Sequence, residues 1–91
     1  AKALVIFPGG FGTMDELFEA LTLIQCQKVK KPVPTVLYGK DFWENVIGWN
    51  KFVEAGTISK EDLNLFKIVD DVETAKNYLI KEITKYYKLH F

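Results

Sequence analysis

Residues 7 to 16, Phe7-Pro8-Gly9-Gly10-Phe11-Gly12-Thr13-Met14-Asp15-Glu16, set three glycines and a proline between an apolar run and two adjacent carboxylates. Glycines let a backbone approach a ligand without a Cβ in the way. The first free N–H groups of a following helix offer hydrogen bonds and partial positive charge to an anion. Phosphate is the natural occupant of such a loop. The carboxylates point to a second chemistry, because a loop that only cradled phosphate gains nothing from Asp15 and Glu16 in the first helical turn beside it. Successive helical residues project about 100° apart, so these two acids cannot both face one cleft, whereas Glu16 and Glu19 share a face. The expected arrangement is one carboxylate aimed at a bound ligand.

The spacing fits neither common phosphate motif. Gly10-Phe11-Gly12 is followed by Asp15 where the dinucleotide fingerprint needs glycine or alanine, and no lysine follows the last glycine as in a Walker loop. A purely structural reading stands beside the chemical one: the glycines shape a tight turn, and Thr13 with Glu16 forms a capping box worth about 1 kcal/mol.

Little else in the chain competes for chemistry. Cys26 is the single cysteine, which leaves no internal disulfide or cysteine-based zinc site and suits a reducing cytoplasm. His90, the single histidine, stands next to the last residue. Phe42, Trp43, Trp49 and Phe52 could stack on a purine, but large aromatics at helical spacing more often fill a core or a subunit interface. Tyr78, Tyr86 and Tyr87 among Lys81, Lys85 and Lys88 read as an amphipathic helix rather than a nucleic-acid surface. Twelve acidic and twelve basic residues cancel, so the positive surplus that phosphate-backbone binding needs is missing. All the basic residues are lysine, without the arginine that grips phosphate bidentately. The longest apolar stretch, Ala3 to Pro8, is far short of the roughly 20 residues of a membrane span. Neither nucleic acid nor membrane is an expected partner.

The elements that must position the glycine loop alternate strand and helix. Ala3 to Phe7 is a continuous apolar run of the kind covered on both faces in a parallel sheet. From Leu17, the residues Ala20, Leu21 and Ile24 recur at helical spacing, with Lys28, Lys30 and Lys31 at the cation-favouring end and Pro32 as the stop. Val33 to Tyr38 is a second strand, left at Gly39. Asp41 and Glu44 form a capping signature for one helix patterned by Phe42, Trp43, Val46, Ile47, Phe52 and Val53 and ended at Gly56. Ser59 begins a short helix to Phe66, Lys67 to Val69 makes a third strand, and Asp71 to Lys88 a final helix lined by Val72, Ala75, Leu79 and Ile83. Such alternation predicts an α/β fold: a three-layer, Rossmann-like parallel sheet flanked by helices, with residues 1–91 as one domain. Three strands make a thin sheet, and a chain opening on Ala1 in front of a buried strand reads as part of a longer protein. The glycine loop then leaves the C-terminal end of a strand, where open parallel sheets bind ligands.

Pro8-Gly9-Gly10-Phe11-Gly12-Thr13-Met14-Asp15-Glu16 resembles the PGGxGTxxE signature of the Lonely Guy family, cytokinin-activating phosphoribohydrolases often labelled lysine decarboxylases. All six fixed positions of the nine match. The stretches LFEALTLIQ, GKDFW and ISKEDLNLFKIVDD continue the likeness, which covers the C-terminal half of the family's fold. The resemblance implies hydrolysis of the N-glycosidic bond of a nucleoside 5′-monophosphate, such as AMP or an N6-modified AMP, without metal or organic cofactor. It implies a homodimer. By position it gives Gly9, Gly10, Gly12 and Thr13 the 5′-phosphate and Glu16 the catalytic carboxylate near the ribose. A carboxylate there would stabilise the positive charge that grows on the sugar as the bond breaks. The family's motif also includes an upstream arginine and lysine, so these 91 residues alone are expected to be inactive. The alternative is a nonenzymatic nucleotide-binding module with a similar loop. A lysine decarboxylase would hold pyridoxal phosphate on a lysine, and no lysine stands in the loop or just after it.

Overall fold

A computed structural model describes residues 3–26 and 33–87. Three strands, β1 (Leu4–Ile6), β2 (Thr35–Tyr38) and β3 (Phe66–Val69), form one parallel sheet in the order β1-β2-β3. The helices are α1 (Phe11–Gln25), α2 (Lys40–Val46), α3 (Trp49–Glu54) and α4 (Val72–Tyr87), with a 3-10 turn over Lys60–Leu65. The fold is α/β, a three-strand parallel sheet between helices, compatible with part of a Rossmann-like fold.

Register sorts the side chains into two faces. Leu4 pairs with Thr35 and Thr35 with Phe66; two residues on, Ile6 pairs with Leu37 and Leu37 with Ile68. These rows point one way by the two-residue repeat of a strand. Ile6 and Leu37 bury there against Leu17 of α1, Trp43 of α2 and Ile47, with Trp49 of α3 packed on the cluster. Val36 and Val69 point the other way, against Ala75 of α4. Both faces of β2 are thus covered, and Thr35, Val36 and Leu37 have no exposed surface. Thr35 satisfies its buried hydroxyl by donating to the Val33 carbonyl at 3.0 Å.

The first apolar run departs from expectation. Only one face of β1 is covered among the described residues: Ile6 is buried, while Val5 on the opposite face is 39% exposed. An apolar run marks where covering is wanted; α4 packs through Ala75 on Val36 of β2 and Val69 of β3.

The middle of the chain departs further. The expected single helix is two, broken at Ile47 and Gly48, where Ile47 is extended (φ −122°, ψ 125°). The expected Asp41 cap is replaced by Gly39, whose left-handed φ of 106° begins α2 without a side-chain bond. Asp41 lies inside the first turn, where its charge still suits the helix dipole. Trp43, Trp49 and Phe42 pack in or on the core as large aromatics usually do. Ser59 caps as expected: its side chain accepts from the backbone of Asp62, and the Asp62 carboxylate accepts the Ser59 N–H at 2.9 Å. That N–H, with the Gln25 amide next, holds the Asp62 carboxyl below its ordinary value. Asp71 caps α4, accepting from the Thr74 N–H at 2.7 Å and its hydroxyl at 2.9 Å, which likewise lowers its pKa. The expected lysine cluster at Lys28, Lys30 and Lys31, Pro32 and the residues from Lys88 on, His90 included, lie outside the described residues, as do the side chains of Tyr86 and Tyr87.

No described helix is long and apolar enough to cross a membrane.

Candidate functional site

The loop from Phe7 to Gly10 leaves the C-terminal end of β1 and enters α1 at Phe11. Two neighbouring strand ends meet it. Gly39, just after β2, has a left-handed φ of 106° that favours glycine, and a Cβ there would stand a tight 3.2 Å from Pro8 Cγ, so the second strand's exit lies against the loop. The Gly39 N–H donates to the Val69 carbonyl at 2.8 Å, and the Asp70 carboxylate, just after β3, accepts the Lys40 N–H at 2.8 Å. The exits of all three strands are thereby tied into one edge. Sequence spacing had not connected Pro8, Gly39, Lys40 and Asp70; a proline, a glycine or an aspartate directly after each apolar run was the available signal.

The glycines differ in what fixes them. A Cβ on Gly9 would collide with the Thr13 side chain, whose Cβ would be 2.8 Å away, so Gly9 is required by the loop's own packing. Gly10 and Gly12 have nothing within 4 Å of where a Cβ would be, and neither has positive φ. The fold's own contacts do not demand glycine at either position; both open onto empty space beside the helix start. Replacing Gly12 by alanine is therefore expected to raise stability by roughly 0.5–1 kcal/mol, the usual cost of glycine within a helix. Gly9→Ala is expected to lower it. Urea unfolding of the two variants checks the pair.

The carboxylates lie deeper along α1 than the sequence suggested. Gly10 is the N-cap, with the Met14 N–H bonded to its carbonyl at 3.0 Å and no side-chain cap. Thr13 is therefore a residue inside the helix and not its cap. The capping-box reading of Thr13 and Glu16 fails, since a glycine cap takes the position a threonine would need. Asp15 and Glu16 fall in the second turn, and the first turn of α1 holds no acid. Glu16 stands four residues after Gly12 and three after Thr13, on their face of the helix and about 6 Å along the axis from Gly12. It is exposed and makes no hydrogen bond or ion pair among the described residues. Asp15 turns aside with Glu19 to line a flank groove with Phe18.

Another concave surface lies away from this edge. An open groove of about 850 Å³ runs between Met14 and Phe18 of α1 and Val46, Phe52 and Ile58, and none of the expected site residues line it. No group of three histidine, cysteine, aspartate or glutamate side chains among the described residues could hold a metal ion.

Comparison with known proteins bears on this edge. A family model described as "Possible lysine decarboxylase" matches residues 1–79. The chain belongs to that family, the Lonely Guy proteins. Among curated relatives, it is 34% identical over 91 residues to the cytokinin riboside 5′-monophosphate phosphoribohydrolase LOG4 of Arabidopsis thaliana, covering 99% of this chain and 40% of that protein. It is 33% identical over 79 residues to the cytokinin riboside 5′-monophosphate phosphoribohydrolase of Mycobacterium tuberculosis, covering 82% of this chain and 40% of the relative. A probable enzyme of the same description from rice is 33% identical over 72 residues, 78% of this chain and 31% of its own. The Lonely Guy segment described here thus spans about two fifths of the Arabidopsis and mycobacterial relatives. Its match contains the whole glycine loop, α1 and the three strand exits.

Proposed function

We propose that the full-length protein hydrolyses the N-glycosidic bond of a nucleoside 5′-monophosphate, AMP or an N6-modified AMP, to free base and ribose 5-phosphate. The observation that carries this reading is the placement of Glu16 one turn below Gly12 on the helix that leaves the glycine loop, its carboxylate without a partner among the described residues. The names of the curated relatives, which act on cytokinin riboside 5′-monophosphates, support the substrate class.

In this reading the N–H groups about Gly9, Gly10 and Gly12, with the Thr13 hydroxyl, hold the 5′-phosphate at the start of α1. The ribose extends along the helix toward Glu16. As the C1′–N9 bond breaks, positive charge grows on the sugar, and the fixed carboxylate stabilises it and orients water for attack on C1′. The base leaves with the bonding pair and takes up a proton, while the water oxygen stays on C1′. These residues require neither metal nor organic cofactor. The protein is read as a cytoplasmic homodimer, residues 1–91 forming a nucleotide-binding unit that is inactive alone.

The exposure of Glu16 favours a second reading, in which the loop binds a nucleotide without cleaving it. Incubating the full-length protein with AMP and following adenine and ribose 5-phosphate by chromatography, alongside calorimetry of AMP binding, separates the two. Base release supports hydrolysis; binding without release supports the module. Gly12→Ala, neutral or better for the fold, is expected to weaken AMP binding, because its methyl group enters the space left beside the phosphate.

A further inference from the structure

Two aspartates follow β3, and they do different work. Asp71 turns to its own helix and caps α4 through Thr74. Asp70 reaches across the sheet edge instead: its carboxylate accepts the Lys40 N–H at 2.8 Å and so holds the first residue of α2, after the neighbouring strand. The Gly39 N–H donates to the Val69 carbonyl at 2.8 Å, so two consecutive donors after β2 are fixed by two consecutive residues at the end of β3. Gly39, held this way in its left-handed conformation, lies against the Pro8 ring. That contact stands where strand pairing ends. In the β1–β2 ladder Leu4 donates to the Pro34 carbonyl at 2.9 Å, and the pattern repeats at every second residue, which brings the third donor position to Pro8. Proline has no N–H, so contact with Gly39 takes the place of the next ladder bond.

We infer that Asp70 is a positioning residue for the nucleotide site, an inference that rests on the nucleotide reading of the glycine loop and adds to it what holds that loop in place. By pinning the Lys40 N–H, Asp70 fixes the turn on which Pro8 rests, and Pro8 leads directly into Gly9 and the phosphate-binding N–H groups. A binding site depends on the groups that support it, and a displacement of about 1 Å is enough to weaken one. The role needs an acceptor oxygen rather than a charge, and it passes through Pro8.

The test measures AMP binding by calorimetry and urea unfolding on the full-length protein and on Asp70→Ala, Asp70→Asn, Pro8→Ala and the variant carrying both alanines. Asp70→Ala is expected to weaken AMP binding roughly tenfold, and Asp70→Asn, which keeps an acceptor oxygen of the same reach, to stay within about twofold of the native constant. In the Pro8→Ala background, removing Asp70 is expected to cost little more, because the support it acts through is already gone. Unchanged AMP binding by Asp70→Ala overturns the inference. So does a lower unfolding midpoint with the binding constant kept, the mark of a cap that only stabilises α2. Equal losses in Asp70→Asn and Asp70→Ala would mean that the charge acts on the ligand directly, and full additivity with Pro8→Ala would separate Asp70 from the loop; either also overturns the inference while leaving the nucleotide reading intact. A native protein that binds no AMP removes that reading, and the role of Asp70 with it.

Discussion

Replacing Glu16 by glutamine in the full-length protein is expected to lower adenine release from AMP on the order of 10³-fold, while AMP binding stays within a few-fold of the native value. Glutamine keeps the size and shape of the side chain and removes only the charge. If the carboxylate acts on the cation that develops at C1′, its charge matters most in the transition state, so kcat falls and KM hardly moves. A group that merely contacted the bound nucleotide would change KM instead. Stability gives the control. Glu16 is exposed and without partners in the described structure, so the substitution is expected to shift unfolding by less than about 0.5 kcal/mol. Equal rates of base release from the native protein and the variant would refute the role given to Glu16.

The fold class was legible because short apolar runs ended by proline or glycine, followed by helical spacing, leave few alternatives to parallel pairing. The helix boundaries were less so. α1 begins at Phe11 under a glycine cap, and a cap formed by backbone alone has no side-chain signature; Thr13, the better capping residue, drew the expected start three residues too far along. The break between α2 and α3 was hidden for another reason. Ile47 is extended yet still buries in the core that Trp43 and Trp49 face, so apolar periodicity continues across a chain that is no longer helical. Gly48 was the only local sign. In the candidate site, the glycine loop stood out by its composition, while the choice of Glu16 over Asp15 came from the resemblance to the Lonely Guy signature. Asp70 carries no such mark: it bonds Lys40, 30 residues back along the chain, and the two meet only because β2 and β3 lie side by side.

Trp43→Ala is expected to be the most damaging single substitution for stability, at about 3–5 kcal/mol. The indole has no exposed surface, and it meets Phe42 edge-on with ring centroids 4.9 Å apart. Its N–H donates to the Tyr38 carbonyl at 3.1 Å, and its own carbonyl accepts from the Trp49 indole at 3.1 Å. Alanine removes the ring and leaves the Tyr38 carbonyl without its side-chain donor. Trp43→Phe keeps most of the packing but also loses that donor, so it is expected to cost less than alanine and still about 1–3 kcal/mol. Tyr38 is the last residue of β2, directly before the glycine that lies against Pro8, so slackening here reaches the edge that carries the loop. Urea unfolding and AMP calorimetry on the full-length variants test both links. A core role predicts that the unfolding midpoint falls first, with AMP binding at low urea retained by Trp43→Phe. Loss of AMP binding at an unchanged midpoint would instead make Trp43 a purine contact, which an indole with no exposed surface does not allow.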